Sequence, residues 1–228
     1  MATTVHRMTR AAVLVLLSLL LISSQAGAAS SFNEEFKAGR PLAARWQWYQ
    51  ENPAHWSLTA HPGWLRIWGV NEMAGSCAPV ENLLLTTPPS GDFKIVARIK
   101  VKANVDYQHG GILVFRDVDN YIKLDKLYNS AFGGGSVEFV KEENGVFPTS
   151  WPHHSANLAK AQDLQLKRRG NTLTALDRPV PGTTWRKLGK YSLSGLNGFR
   201  IGLFAFAGCN TGAPPAVADF DWFRVTTS

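Results

Sequence analysis

No segment after residue 28 of this 228-residue chain carries a long helical period, which argues against a helical bundle and against an α/β alternation of helices and strands. Nor does any later stretch hold the ~20 apolar residues that a membrane-crossing helix needs. Cysteine is nearly absent, with only Cys77 and Cys209. The motifs of several chemistries are missing too: there is no G-x-S-x-G elbow, no H-E-x-x-H and no phosphate-binding glycine loop. The glycine run FGGGS at 132–136 precedes a strand pattern rather than a helix and reads as a turn. No internal repeat aligns, and the Pro-rich pieces TTPPS and GAPPA are too short to link domains, so they are loops at strand ends.

What is present begins with a leader. Arg7 and Arg10 precede the apolar run AAVLVLLSLLLI at 11–22, followed by Ala26-Gly27-Ala28, the layout of a secretory signal peptide over residues 1–28. Cleavage after Ala28 leaves 29–228 as one domain, expected to be secreted, extracellular or periplasmic, with no membrane attachment. In an oxidising compartment Cys77 and Cys209, both in loop-like sequence, are expected to form a disulfide. Of the 24 basic and 17 acidic residues, Arg7 and Arg10 leave with the leader, so the exported part carries a net charge of +5. The excess is spread rather than blocked and no nucleic-acid motif accompanies it. We expect solubility and a mild attraction to acidic polymers, not nucleic-acid binding.

Strand-length alternation recurs along the whole exported part. In KIVARIKVK (94–102), Ile95, Ala97, Ile99 and Val101 share one face and Lys94, Arg98, Lys100 and Lys102 the other. Similar patterns cover 110–116, 121–127, 136–142, 164–168, 171–177, 199–207 and 218–225, about ten strands in all, with hairpin-grade turns at Asp119-Asn120, Glu143-Asn144-Gly145 and Arg169-Gly170-Asn171. Evenly spaced strands with such turns predict an all-β protein, a sandwich or jelly roll.

Three pieces carry a resemblance to a known family. WQWYQENPAHWSLTAHPGWLRI (46–67), GGILVFRDVDNYIKL (110–124) and GFRIGLFAFA (198–207) with ADFDWFRV (218–225) resemble the concanavalin A-like domain at the C-terminus of glycoside hydrolase family 43 β-xylosidases, and related stand-alone secreted domains. ALDRPVPGTTWRKLG (175–189) departs from it through a longer turn. The resemblance implies a two-sheet antiparallel jelly-roll sandwich, the concanavalin A-like lectin/glucanase fold. It does not imply catalysis, which in those enzymes belongs to a separate propeller domain.

Glucanases of the same fold class carry two Glu and an Asp alternating on one strand. The nearest counterpart here is Glu138 and Glu142, with Val140 in the middle position. Four residues along a strand span ~13 Å, far beyond the ~5–5.5 Å between the carboxyls of a retaining glycosidase, so we read both as solvated glutamates beside Lys141 and a hydrolase using them as the alternative. His153-His154 point apart on an extended chain and read as loop surface. No cofactor is required. A structural calcium ion tying the two ends of the domain together is the one metal considered, with Glu35 and Asp221, or Glu34 and Asp219, as ligands.

Five of the eight tryptophans fall within residues 46–68. Alternation places Leu65 and Ile67 in the core and Trp64, Arg66 and Trp68 on the opposite face, an aromatic and guanidinium pairing suited to sugars, which stack C–H faces on rings and hydrogen-bond at the rim. Trp46 and Trp48 extend that platform in the same reading, while Trp56 is core. The expectation is a secreted carbohydrate-binding or hydrolase-accessory module without catalysis, its partner a polysaccharide such as a xylan or arabinan. A protein-interaction module of the cell envelope is the remaining alternative, and oligomeric state is left open.

Overall fold

The computed structural model describes residues 30–73, 79–209, 212 and 214–227. Two antiparallel sheets of eight and seven strands make up the sandwich. The first runs, edge to edge, β13 (Arg186–Ser192), β12 (Thr172–Pro179), β11 (Gln162–Arg169), β6 (Phe93–Lys102), β15 (Ala216–Thr227), β4 (Leu65–Gly69) and β3 (Trp56–Ser57). Beyond the end of β4, β1 (Phe32–Glu35) takes over the same edge of β15, pairing Phe32 with Val225 and Glu35 with Trp222. The second sheet runs β10 (His153–Ser155), β9 (Gly134–Glu142), β8 (Asn120–Asn129), β7 (His109–Asp117), β14 (Arg200–Phe206), β5 (Leu83–Thr86) and β2 (Gln47–Tyr49).

The alternation read in the sequence becomes the interface between the sheets. On β6, Ile95, Ala97, Ile99 and Val101 are buried against Ile112 and Val114 of β7 and Leu124 of β8 in one continuous cluster. Six strands had no separate sequence reading: β1, β2, β3, β5, β10 and β13. Most are short edge or near-edge segments of two to four residues, too brief for a period to show.

One feature departs from a simple sandwich. A second apolar cluster, including Leu85, Leu113, Phe115, Phe204, Phe206 and Met73, lies on the face of the second sheet turned away from the first. Strand β8 is therefore buried on both faces, charged residues included. Gly111 is part of the reason, because a Cβ there would strike the Leu124 carbonyl and Asp125 on the adjoining strand. On the inward face Lys126 is enclosed too. Its ammonium donates to the carbonyls of Asn157 and Lys160 at 2.8 and 2.6 Å, and burial without a carboxylate lowers its pKa to about 8.

Phe223 packs against Phe32 and Trp46 where β1 meets β15, with centroid separations of 6.0 and 5.2 Å. Phe223→Ala is expected to cost about 3–5 kcal/mol in a urea titration, as for other buried aromatics. The exposed Thr226→Ala on the same strand should stay within about 0.5 kcal/mol.

Candidate functional site: a charged pocket on the second sheet

Strands β7, β8 and β9 set the floor of the site. Asp125 is the cross-strand partner of both Gly111 on β7 and Glu138 on β9, so Lys123, Asp125 and Glu138 share the face that carries the second apolar cluster. His109 opens β7 on that face, and Glu72 reaches it from the segment after β4. The Lys123 ammonium lies 2.9 Å from Glu138 Oε1, 3.2 Å from His109 Nδ1 and 3.9 Å from Asp125 Oδ2. His109 faces a carboxylate with each nitrogen, Asp125 Oδ2 at 2.5 Å from Nδ1 and Glu72 Oε2 at 2.6 Å from Nε2.

The electrostatics follow from enclosure. Burial, and Lys123 beside it, push the His109 imidazolium toward neutrality, but Glu72 and Asp125 outweigh both and raise its pKa to about 9. Burial raises the Glu72 carboxyl, yet His109 and Lys123 prevail and hold it at about 2. Lys123 is held above its ordinary value: burial opposes the charge, and Asp125, Glu138 and Glu72 overcome it. Asp125, unlike Glu72, has its pKa raised, chiefly by burial. The floor is thus an enclosed salt network of three carboxyls and two cations.

Above it lies a cavity of about 300 Å³ lined by Glu72, Lys123, Glu138, Tyr107, Phe147 and Trp151, with Gly208 and Cys209 at one wall. The Trp151 indole N–H donates to Glu138 Oε2 at 2.6 Å, and its ring meets Phe147 edge-on at 6.3 Å. Tyr107 stands at the rim, 49% exposed, on a backbone with φ of 67°. A non-glycine residue there bears about 1–3 kcal/mol of strain, of the kind that gathers at ligand sites.

Among the described residues, His109, Asp125 and Glu138 are the one set of three ligand-type side chains close enough for a metal, their atoms within 4.8 Å of one another. The Lys123 ammonium occupies the space a cation would take, so the donor set is already neutralised from within. Glu35 and Asp221 belong to no such set. Glu35 accepts from Asn33 and Arg224 at 2.9 and 3.0 Å, and Asp221 lies 3.9 Å from Arg98. Glu34 accepts the Trp46 indole N–H, and Asp219 is engaged by Arg66.

Several expectations are corrected here. Glu138 and Glu142 are not solvated: they are 2% and 1% exposed, because the segments around Glu72 and Phe147 cover that face. Glu138 lines the pocket, while Glu142 turns against Tyr121 and has its carboxyl raised by burial. His153 and His154 form β10 rather than a loop, His153 stacked on Phe132 at 3.8 Å and His154 2.9 Å from Asp177. Trp46 and Trp48 do not extend a platform. Trp46 is 8% exposed within the core, and Trp48, on the second sheet, packs inward against the tilted ring of Trp56 at 4.9 Å. Trp56 packs against the core from its edge.

Trp64, Arg66 and Trp68 do lie opposite Leu65 and Ile67, but their faces are attended by the protein itself. Arg66 binds Asp219 through two hydrogen bonds of 2.7 and 2.9 Å and lies over Trp68, while Trp64 has His61 stacked at 5.1 Å and Lys100 over its ring. Sequence reasoning missed Glu72, Tyr107, His109, Lys123, Asp125, Phe147 and Trp151. One signal was available: YIKLDKL puts Lys123 and Asp125 on one face of a strand adjoining the strand of Glu138. Cys77 lies outside the described residues, and among those described no cysteine is a free thiol.

Residues 33–226 match the family described as the beta xylosidase C-terminal concanavalin A-like domain. The chain belongs to that family. Solved structures agree on the concanavalin A-like fold. A glycoside hydrolase family 43 protein from Bacillus licheniformis superposes with a TM-score of 0.74 at 20% identity, covering 86% of this chain and 39% of its own. For a xylan β-1,4-xylosidase from Bacillus halodurans the figures are 0.71, 17%, 85% and 38%. This concanavalin A-like domain therefore spans about two fifths of those enzymes. A β-glucanase from Bacillus licheniformis is matched along 99% of its length and 88% of this chain, with a TM-score of 0.52 and 15% identity. No curated protein sequence matches the chain significantly.

Lys123→Met is expected to cost about 3–5 kcal/mol, since it strands buried carboxylates without their cation. The pH dependence has a definite sign. His109 titrates at about 9 when folded against an ordinary 6.5, so its stabilisation is complete below pH 6.5 and is lost as pH rises through 9. Lys126, lowered to about 8 from 10.5, acts oppositely and adds stability as pH rises from 8 to 10.5. Urea midpoints should therefore fall between pH 6.5 and 8, hold level to about 9 and rise from there towards 10.5, and His109→Gln should abolish the fall.

Proposed function

We propose that this chain is an exported, non-catalytic carbohydrate-binding module that holds the end of a polysaccharide, of xylan or arabinan type, in the pocket on its second sheet and serves as an accessory to glycoside hydrolysis. The observation that carries the reading is the pocket itself, with aromatic walls Tyr107, Phe147 and Trp151 over a polar floor of Glu72, Lys123 and Glu138. Rings for C–H stacking and fixed acceptors for hydroxyls are what a sugar requires. A volume of about 300 Å³ suits roughly one or two sugar rings rather than a long chain laid in a groove. Family membership supports a carbohydrate role, and the signal-peptide pattern of residues 1–28 supports export to an oxidising compartment, where a bridge between Cys77 and Cys209 is expected.

Non-catalysis rests on how the carboxyls are engaged. Glu138 has one oxygen on Lys123 and the other on Trp151, and Asp125 lies beneath, fully buried. One observation favours a hydrolase instead: Asp125 and Glu138 hold oxygens within 4.8 Å, near the ~5–5.5 Å of retaining enzymes. Reducing-sugar release from xylan that disappears in Glu138→Gln would establish that alternative.

Trp151→Ala should lower affinity for xylo- or arabino-oligosaccharides about tenfold or more in calorimetry, the loss of one stacked ring and one buried donor. Trp68→Ala, on the opposite side of the sandwich, should leave affinity unchanged. The reverse pattern would return the site to the face of Trp64, Arg66 and Trp68.

A further inference from the structure

The outward face of the first sheet carries a line of positive charge that the pocket does not use. Reading the cross-strand registers from β13 to β15 gives Lys190, Thr174, Lys167, Lys94 and Thr226 as successive partners on neighbouring strands. Alternation turns all five away from the core, since Leu173, Ala175, Leu166, Ile95 and Val225 around them are buried. Five strands abreast make a row about 19 Å long at ~4.8 Å per strand. Its side chains are ammonium groups and hydroxyls only.

The arginines of this face have carboxylate partners, and the lysines of the row do not. Asp163 is bound by Arg98 and Arg178, Asp219 by Arg66 and Glu35 by Arg224, and Asp221 faces Arg98. Among the described residues no carboxylate lies within ion-pair distance of Lys94, Lys167 or Lys190. Lys94 and Lys167 stand directly opposite each other across β6 and β11, a like-charge juxtaposition that disfavours the sheet. A fold that gives its arginines carboxylate partners and leaves three lysines in line has a cationic strip that only an external anion completes.

We infer that this strip binds an acidic polysaccharide, a polyuronate lying across the strands with its carboxylates on the lysines and its hydroxyls on Thr174 and Thr226. Charge complementarity selects a polyanion, and the side chains in the row select among polyanions. Single-stranded nucleic acid is held by basic residues interleaved with rings that stack bases, and this row contains no ring. The strip lies on the other sheet from the pocket, so the two sites are independent.

Affinity electrophoresis of the whole exported chain in polygalacturonate, in fully methyl-esterified polygalacturonate and with oligothymidylate as competitor tests the assignment. Retardation is expected in polygalacturonate alone, weakening in concentrated NaCl because the contacts are exposed and screened. The triple variant Lys94→Gln, Lys167→Gln, Lys190→Gln should lose about tenfold or more in affinity with its melting temperature preserved, since a few rim charge contacts supply the binding. Trp151→Ala should bind polygalacturonate as the parent does, and the triple variant should keep its pocket affinity for neutral oligosaccharides. If the triple variant does not fold, Lys167→Gln alone, a single substitution at an exposed position, should still weaken binding measurably. Absence of retardation, equal retardation in the methyl ester, unchanged binding by the lysine variants, or tighter binding of oligothymidylate each overturns the assignment.

Discussion

An ammonium group placed inside a β-sandwich constrains everything near it. Lys123 stays charged in the interior only because Glu138, Asp125 and Glu72 surround it, and those carboxyls are tolerable there only because Lys123 and His109 are present. The arrangement needs the side of Gly111 left empty, His109 fixed at the start of β7 and the chain after β4 folded back to deliver Glu72. It also fixes Trp151, whose indole shares Glu138 with the ammonium. The pocket's aromatic wall and its charged floor are one bonded unit.

The sandwich was legible because hydrophobic burial writes a period of two into each long strand. β6, β8, β9 and β14 fall where alternation placed them, and Leu65 and Ile67 face inward as expected. The site was less legible, and for a definite reason. Alternation says which side chains share a face, but not whether that face meets water. Glu138 and Glu142 sit on a polar-looking face and look solvated in sequence. They are buried because segments distant in sequence, around Glu72 and Phe147, close over the sheet. Trp46 and Trp48 failed through the same gap: rings two residues apart share a face, yet nothing local shows that β2 joins the second sheet and turns that face inward.

The two outer faces solve the problem of surplus charge in opposite ways. On the second sheet, charges are enclosed and neutralised by one another, and the solvent-facing work passes to rings. On the first, the guanidinium groups stay partly at the surface: Arg66 and Arg224 each meet one carboxylate, Arg98 and Arg178 share Asp163, and all four lie over tryptophan rings. Only the Arg224–Glu35 pair is exposed, where such bridges contribute little; Asp163 and Asp219 are buried beneath their arginines, so loss of Arg66, Arg98 or Arg178 would leave a buried carboxylate short of its cation.

The position of β15 sets the order in which the molecule can form. Although it is the last strand in sequence, it lies inside the first sheet, between β6 on one side and β4 with β1 on the other. Until residues 216–227 are available, β4 and β1 have no neighbour to hydrogen-bond with on that side, and the first sheet exists as two fragments. Pairing Phe32 with Val225 closes a loop of nearly the whole domain, a contact order that makes assembly slow and late. A ribosome would therefore release this chain with its first sheet still unclosed, and that sheet is completed only once residues 216–227 are free.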